Sequence, residues 1–581
     1  MILQALYDYY QRKACDPDPA RRLPAFGLEG KEIPFIIELT AEGRPLGITP
    51  TRQGEGKKKA AQRYLVPKGV KKTSGIGANL LWDNAEYVLG VDVRGNPERV
   101  REQHAAFRQR IADLPEAARE DAGLQALAAF YADYSYAALE SDPAWLEVLE
   151  ANPVISFRLH PDGDLICQRP QLLAATASVV DTDEASGVCL VTGQMAKPER
   201  LHTAIKGVWG AQSSGANIVS FNLDAFTSYN KAQGDNAPVG EAAAFAYTTA
   251  LNHLLDKNSR QRLQVGDAST VFWAQKEDAE AEDAFAAIFG ERDDPDARAG
   301  LIRGLLSAVQ SGQFDGGRGE NRFFVLGLAP NAARISVRFW HAAPLNEIAQ
   351  RIRQWFDDLQ LVRAPNDPEF PSLFRLLTAC AVLRKADNIP PNLGGDIMRA
   401  ILSGAPFPAT WLNAAVLRCR AEQNVNYLRA AAIKACLNRL LRFQNDSSDE
   451  KELLPMLDHD NTSPAYRLGR LFATLEKIQE EASPGLNATI RERYYGAASS
   501  TPVSVFTTLL RLKNHHLAKL SNRGRAVNFE RLIGEIMAGL SDFPKHLSLP
   551  EQGRFALGYY HQRQDFFSKT ESNESTQGES K

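Results

Sequence analysis

The sequence predicts an α+β N-terminal region followed by an all-α, helical-bundle C-terminal region. Up to about residue 361, short apolar runs alternate with turn residues and helical stretches, which is typical of mixed strands and helices. After the Pro-, Asn- and Asp-rich segment 364–371, apolar residues recur at helical spacing and no strand pattern is evident. Because 581 residues exceed what one ordinary core holds, several domains are expected.

Residues 1–150 are predicted to form the first α+β domain. It begins with a helix over 2–12 and continues with a hairpin, in which strand 35–39 precedes a Glu-Gly-Arg turn at 42–44. Segment 80–91 is predicted to form two short strands. Three further helices are expected, at 98–111, 120–136 and 143–150.

Residues 151–363 are predicted to form a second α+β region. The apolar run after residue 154, the Pro-Asp-Gly turn at 161–163 and the residues up to 167 predict a hairpin. Further elements are expected downstream: a helix at 239–255, a strand at 265–273 and a hairpin made of 323–328 and 335–339.

Two helical parts complete the chain, a region at 364–450 and a C-terminal bundle at 451–567. In the bundle, Leu468, Leu471 and Leu475 belong to one apolar helical stripe. Residues 568–581 contain no apolar side chain and are predicted to be disordered.

Composition indicates a cytoplasmic protein without a membrane segment. Its 44% hydrophobic and 24% charged residues are ordinary for a globular protein. No apolar run approaches the length of a membrane span, and the first residues lack the pattern of a signal peptide. The six cysteines form no Cys-x-x-Cys pair, which favours reduced thiols over a disulfide framework.

No motif predicts catalysis, a cofactor or a metal site. A Walker A loop would need a glycine where Thr51 stands. The pair His459-Asp460 supplies too few ligands for a metal and is typical of a turn before a helix. Segment 189–193 resembles half of a zinc knuckle in which Thr192 replaces the second cysteine, and one thiolate cannot hold a structural zinc. We therefore expect a protein that is not an enzyme.

A strongly basic strip lies at 51–72, although the whole chain has a net charge of −3. Eight Lys or Arg accompany a single acid, Glu55, so the strip either binds phosphates or is a solvated lysine loop. The amide of Asn79 is suited to reading base edges, and Trp82 either wedges into a duplex or belongs to a core. The predicted DNA-binding residues of this part are Lys57, Lys58, Lys59, Arg63, Lys68, Lys71, Lys72, Asn79 and Trp82.

A second, nearly uncharged element is predicted in the Gly-, Ser- and Asn-rich segment 189–240. Glycines and short polar side chains favour elaborate turns, and they also suit contacts in a DNA groove. Both interpretations stay open from the residues alone. The candidate DNA-binding residues here are Gln212, Ser213, Ser214, Asn217 and Asn222.

Cations also cluster in the helical part of the chain. They either track a single DNA strand or form ordinary solvated helix faces. The residues predicted to contact a displaced strand are Arg418, Arg429, Lys434, Arg511, Lys513, Lys519, Arg523 and Arg525.

Long blocks of the sequence resemble the large subunit of the type I-C CRISPR Cascade. They are MILQALYDYY at the start, GANLLWDN at 77–84, the segment 189–255, AYRLGRLFATLEKIQEEA and NATIRERYYGAASSTPVSVFTTLLRLKNHHLAKL. The resemblance implies a non-catalytic subunit of an RNA-guided complex that reads the protospacer-adjacent motif on double-stranded DNA. It also implies that the subunit promotes R-loop formation, stabilises the displaced strand and helps recruit a helicase-nuclease.

The implied partners are target DNA, guide RNA held through the complex, and the backbone and foot subunits of Cascade. In this family the C-terminal bundle resembles a separate small subunit that can be translated from an internal start. Met456 lies at the beginning of the bundle, and Lys451-Glu452 upstream can be encoded by purine-rich codons that resemble a ribosome-binding sequence. We therefore hypothesise that a free small subunit begins at Met456.

Two alternatives belong to other functional classes. A metal-dependent nuclease would need clustered carboxylates, for which the acidic stretch 277–296 is the available segment. A protein-only scaffold would predict that charge reversal in the basic strip leaves DNA affinity unchanged.

Overall fold

The computed structural model describes residues 2–18, 21–53, 60–70, 75–132, 137–178, 187–290, 299–300, 302–304, 307, 318–444 and 451–577, without the side chains of 137, 175–178 and 568–577. The chain divides into two compact units. Unit 1 comprises Met1–Thr203 and Val219–Leu251, and unit 2 comprises Ala204–Ile218 and Asn252–Lys581. Among the described residues, no helix is long and apolar enough to cross a membrane.

The predicted fold class is confirmed, because an N-terminal α/β region is followed by a mostly helical one. The strands are β1 (Leu28–Glu32), β2 (Phe35–Leu39), β3 (Pro45–Pro50), β4 (Arg63–Pro67), β5 (Trp82–Asn84), β6 (Val154–Leu159), β7 (Gly187–Val188), β8 (Met195–Ala196), β9 (Arg262–Val265), β10 (Ala268–Ala274), β11 (Arg322–Asn331) and β12 (Arg334–Pro344). The helices up to residue 289 are α1 (Ile2–Ala14), α2 (Ala85–Leu89), α3 (Pro97–Ala112), α4 (Glu116–Arg119), α5 (Ala122–Ala132), α6 (Ala137–Glu140), α7 (Trp145–Ala151), α8 (Pro170–Ser178), α9 (Glu241–Leu254) and α10 (Ala279–Phe289). The later helices are α11 (Leu345–Leu359), α12 (Leu373–Cys380), α13 (Leu393–Ser403), α14 (Ala409–Ala421), α15 (Tyr427–Gln444), α16 (Pro464–Ala482), α17 (Ile490–Ala498), α18 (Val503–Lys519), α19 (Arg523–Met537) and α20 (Leu549–Gln577).

The main sheet of unit 1 has the strand order β3-β2-β6-β5. β2 and β3 form the predicted hairpin, while β2 and β6 run parallel. Phe35, Ile37 and Phe157 are fully buried in one apolar cluster with Leu127 of α5. This cluster forms the core of unit 1.

The predicted hairpin at 154–167 is wrong in its second half. Only β6 is a strand; Arg158 and Leu165 form a single bridge, and Ile166–Gln168 is a 3-10 turn. β6 already has two strand neighbours, β2 and β5, so it needs no third partner. The turn instead directs Ile166 and Cys167 into the core, where both are buried.

Two other predicted elements also differ from the structure. Segment 80–91 contains one strand, β5, and then the short helix α2, which ends at Gly90 in the left-handed conformation (φ 67°) that glycine adopts readily. The last helix, α20, continues to Gln577, so it includes most of the segment predicted to be disordered. The side chains beyond Phe567 lie outside the described residues.

Unit 2 contains an antiparallel sheet with the order β12-β11-β10-β9, in which β11 and β12 form the predicted hairpin. Phe272 and Val325 on one face of this sheet belong to an apolar cluster that continues through the helices to Tyr560. The Pro-rich segment 364–371 therefore connects elements that share a single core.

Candidate nucleic-acid interface

Strand β4 connects the two parts of the basic strip. Before β4, Gln53 and Ala60 pair through two backbone hydrogen bonds (2.9 and 3.0 Å). Lys57, Lys58 and Lys59 lie outside the described residues. Arg63 is exposed at the start of β4, and its guanidinium crosses Gly30 of the neighbouring strand β1, where a Cβ would lie 2.6 Å from Nε.

Asn79 makes two hydrogen bonds within the protein. Its side-chain oxygen accepts a hydrogen bond from the Val70 N–H (2.9 Å), and its own N–H donates to an Asp83 carboxylate oxygen (2.9 Å). Lys71 and Lys72 lie outside the described residues. Asn79 is only 5% exposed, so its amide is engaged within the protein and does not face a base. The structure therefore corrects its predicted contact to DNA, because the Asn79 side chain lies inside the protein and bonds to the backbone of Val70.

Trp82 is a core residue. It is 3% exposed, and its indole N–H donates to the Pro67 carbonyl oxygen (2.8 Å) at the end of β4. Lys31 Nζ lies 5.3 Å from the centre of the Trp82 ring, a cation–π distance. A ring buried in this way cannot wedge into a DNA duplex, so the structure favours the interpretation of Trp82 as a core residue.

Lys68 follows β4 and is half-buried. Its backbone N–H donates to the Gly27 carbonyl oxygen (2.7 Å), and its ammonium lies 5.6 Å from the Phe245 ring centre. The ammonium also lies near the Glu199 carboxyl; burial raises the pKa of that group overall, and Lys68 opposes the shift. Lys68 is thus part of the packing of unit 1, whereas Arg63 is open to solvent.

The knuckle-like turn at 189–193 is held by hydrogen bonds. The Gly193 N–H donates to the Cys189 carbonyl oxygen (2.8 Å), and the Gly240 N–H donates to the buried Cys189 Sγ (3.2 Å). Burial raises the pKa of this thiol, but hydrogen bonds from Thr192 and Gly240 outweigh burial and bring the pKa below its ordinary value. Within the described ranges, no three His, Cys, Asp or Glu side chains are grouped as metal ligands.

The polar segment is shared between the two units, and its part in unit 2, Ala204–Ile218, forms a closed loop that we call the polar loop. Ile205 and Ala216 pair through two backbone hydrogen bonds (2.8 and 2.9 Å). Gly207 and Gly215 have positive φ angles (85° and 94°), and a Cβ on either would lie within 3.0 Å of a carbonyl oxygen. The glycines therefore serve the turns, as one of the two interpretations expected.

The tip of the polar loop is also open to a partner. Gln212, Ser213 and Ser214 are exposed, while Asn217 is half-buried beside β12 and its carbonyl oxygen accepts from the Ile335 N–H (3.0 Å). Asn222 belongs to unit 1, where it is exposed at the start of a different loop. Four of the five candidate side chains of this segment therefore belong to unit 2 and one belongs to unit 1.

Sequence reasoning missed Trp209 at the tip of the polar loop. It is 61% exposed, whereas the other six tryptophans, all of them in the described ranges, are buried or half-buried. One sequence signal pointed to this exposure: glycines stand on both sides of the apolar pair in the run Gly207–Val208–Trp209–Gly210. Such glycines typically form tight turns, which lie at the surface.

Arg429 and Lys434 of α15 are buried (0% and 2% exposed), which corrects their assignment to a strand-contacting surface. Arg429 donates to the Ala379 carbonyl oxygen (2.8 Å) and to the Glu422 carboxylate (2.5 Å). Lys434 donates to the Asp358 carbonyl oxygen (3.1 Å), and burial lowers the pKa of its ammonium to about 8. A nucleic acid cannot reach either group without opening the bundle.

The other helical cations differ in their availability. Arg418 lies 4.0 Å from Glu422, Lys513 lies 3.6 Å from Glu530, and Arg525 makes two hydrogen bonds to Glu481 (2.9 and 2.7 Å). In contrast, Arg511 and Lys519 are exposed on one face of α18, and Arg523 is exposed at the start of α19. His515 is exposed between the first two, one turn from each. Arg511, Lys519 and Arg523 form what we call the exposed cationic face of unit 2.

The acidic stretch proposed for a nuclease is described up to residue 290. Asp278 accepts from the Ala281 N–H (3.1 Å) as the N-cap of α10, and its two oxygens accept from Arg318 (2.8 and 2.9 Å). Burial raises the pKa of Asp278, but Arg318 and the cap outweigh burial and lower it. Glu280 also accepts from Arg318 (2.9 Å). These carboxylates are therefore engaged by an arginine and a helix end.

Comparison with known proteins agrees with the resemblance. A family model described as CRISPR-associated protein (Cas_Csd1) matches residues 6–567, nearly the whole chain. No curated protein matches the chain. Because the match includes both units, the chain belongs to the Cas_Csd1 family of CRISPR-associated proteins.

Proposed function

We propose that this protein is the non-catalytic large subunit of a type I-C RNA-guided surveillance complex, and that it reads the protospacer-adjacent motif on duplex DNA. The observation that carries the proposal is the basic strip 51–72, in which the exposed Arg63 begins β4 and lysines stand before and after that strand in the sequence. Lysine and arginine charge binds phosphates through counterion release, and phosphate contacts fix the register of a protein on the duplex. Protein then reads the short motif while guide pairing reads the remaining sequence.

The exposed cationic face of unit 2 supports a second part of the proposal. Arg511, His515 and Lys519 are spaced by four residues along α18, so they follow one line on the helix surface. Arg511 and Lys519 carry positive charge on this line, which suits the sugar-phosphate backbone of a displaced single strand. We also propose that the protein works within a complex with other CRISPR-associated proteins and helps recruit a helicase-nuclease.

Replacing Lys71 and Lys72 with alanine in the assembled complex is expected to weaken binding and to lower the preference for the correct motif, because phosphate contacts fix the register in which bases are read. The measurement is the affinity for target duplexes that carry a correct or a scrambled motif, at two salt concentrations. Removing two phosphate contacts is expected to weaken the salt dependence, with a slope smaller by about 2. The double variant of Lys257 and Lys385, exposed lysines outside the strip, is the matched control and should bind as the wild type does.

Three outcomes are informative. Loss of preference identifies Lys71 and Lys72 as part of the motif reader. An equal loss on both duplexes shows that they only clamp phosphates and moves motif reading to Gln212–Ser214. Unchanged affinity and salt slope would contradict the proposal and favour the protein-only scaffold.

We also propose that the small subunit is translated from Met456. Met456 is 62% exposed, and it lies between α15 and α16, so a product that begins there contains α16 to α20. The residues just before Met456 are held against α15, because Leu453 exchanges two hydrogen bonds with Asn438 of that helix (2.8 and 3.0 Å). Silent recoding of Lys451-Glu452 to weaken the purine-rich codons is expected to reduce the short product, measured by immunoblot. An unchanged amount would show that translation does not begin there.

A further inference from the structure

We propose that Trp209 inserts at a base step of the target duplex, stacks on the nucleobase uncovered there and thereby positions the DNA against Gln212, Ser213 and Ser214. This inference rests on the proposed function, and it deepens it by naming a residue outside the basic strip that would contact the bases. Tryptophan is large and apolar, and full burial of such a ring gives a stabilisation of about 2 kcal/mol or more. In this protein Trp209 is 61% exposed, so most of that stabilisation would be obtained only when a partner covers the side chain.

The backbone beneath the ring is held firmly. The Trp209 N–H donates to Ser269 Oγ (2.9 Å) of β10, and this hydroxyl donates to Gln264 Oε1 (3.2 Å) of β9. Gly210, with a positive φ of 77°, packs beside Pro330, to which a Cβ would approach 3.4 Å. The polar loop is thus hydrogen-bonded to β10 through Ser269 and to β12 through Asn217, so the support beneath the ring is ordered before any partner binds.

Charge distinguishes a nucleic acid from a protein groove as the partner. No Asp or Glu occurs between Glu199 and Asp224, a stretch that includes the whole polar loop, and Lys206 is exposed within it. A loop without carboxylates of its own adds no repulsion of phosphates, and exposed amide and hydroxyl groups can hydrogen-bond to base edges. An indole ring with such neighbours matches the stacking platforms that bind bases.

Another exposed aromatic residue provides a matched control. Tyr229 is 96% exposed in unit 1, but its loop carries Asp224 and Asp235. Asn236 braces that loop by accepting from the Ser228 N–H (2.8 Å). Tyr229 therefore resembles Trp209 in exposure and in the bracing of its loop, and differs in local charge.

The test uses the assembled complex and target duplexes with 2-aminopurine in or beside the motif. Trp209→Ala is expected to weaken binding about 5- to 150-fold, the effect of losing one base-stacking contact. The 2-aminopurine fluorescence should be quenched by the wild type at one position and rise in this variant. Trp209→Phe should retain part of both effects because a smaller ring still stacks, and Tyr229→Ala should match the wild type.

The possible failures are distinguishable. If the wild type prefers the correct motif and Trp209→Ala keeps full affinity and quenching, the inference is overturned and the proposed function stands. If Trp209→Ala instead releases the protein from the complex in size-exclusion chromatography, the ring contacts a protein and the inference is also overturned. A wild-type complex without any motif preference would overturn the proposed function, and this inference with it.

Discussion

Replacing Gly469 with alanine is expected to destabilise unit 2 by about 3 kcal/mol, a large effect for the addition of one methyl group. Gly469 lies on α16 where this helix crosses α20. A Cβ at this position would lie 2.0 Å from the Phe555 carbonyl oxygen and 2.7 Å from the Tyr559 nitrogen. Both atoms belong to the α20 backbone, so the clash is relieved only by separating the helices.

The crossing is close on both sides. A Cβ at Gly558 of α20 would lie 2.0 Å from the Tyr466 carbonyl oxygen of α16, and Gly558→Ala is expected to have a similar effect. Separation of the helices would loosen aromatic packing that includes Phe472 and Phe555, whose ring centres are 6.0 Å apart. Glycine costs about 1 kcal/mol in a helix relative to alanine, so close approach explains its presence at these positions.

Replacing Gly534 with alanine is the matched control, and its expected effect on the free energy of unfolding has the opposite sign. Gly534 lies in α19, is exposed, and has no heavy atom within 4 Å of the position its Cβ would occupy. Gly534→Ala is therefore expected to stabilise the protein by about 0.5–1 kcal/mol. The measurement is the midpoint of guanidinium-induced unfolding of the full chain, followed by circular dichroism. A Gly469→Ala midpoint equal to or above that of the wild type would show that α16 and α20 do not cross so closely.

Replacing Asp358 with asparagine is expected to destabilise the protein by about 3–5 kcal/mol. The Asp358 carboxylate is fully buried at the end of α11, and it accepts hydrogen bonds from Arg439 Nε (2.8 Å) and from Arg442. The side chain of Arg439 is only 2% exposed, and its guanidinium lies 4.7 Å from the Phe407 ring centre. Asparagine keeps the shape but removes the charge, so a buried arginine loses its counterion.

The neighbouring residue Asp357 carries the same charge but is exposed, so comparing the two asparagine variants shows how much of the effect on stability is due to burial. Its side chain is 67% exposed and lies 3.8 Å from Arg353 of the same helix. Asp357→Asn is expected to change stability by no more than about 0.5 kcal/mol, because exposed ion pairs contribute little. Urea titration of both variants is the measurement. Equal midpoints for the two variants would rule out the buried charge cluster.

Helix α15 shows why the sequence did not reveal its buried cations. Residues 429 to 439 are buried on every side of the helix, which its run of alanines permits, since small side chains let several elements approach. Arg429, Lys434 and Arg439 are therefore enclosed, each with an acceptor supplied by another segment of the chain. Local charge patterning predicts a solvated face here, because the acceptors are distant in sequence.

The sequence by itself determined the family, the order of α+β and helical parts, and the position of the basic strip. These properties depend on local pattern: long specific blocks, the spacing of apolar residues and the count of charges. Only the tertiary structure decided that Trp82 and Asn79 are internal while Trp209 is exposed, and that Arg511 and Lys519 are exposed while Arg429 and Lys434 are not. The physical reason is that exposure is set by contacts between segments far apart in the chain, which no local pattern records.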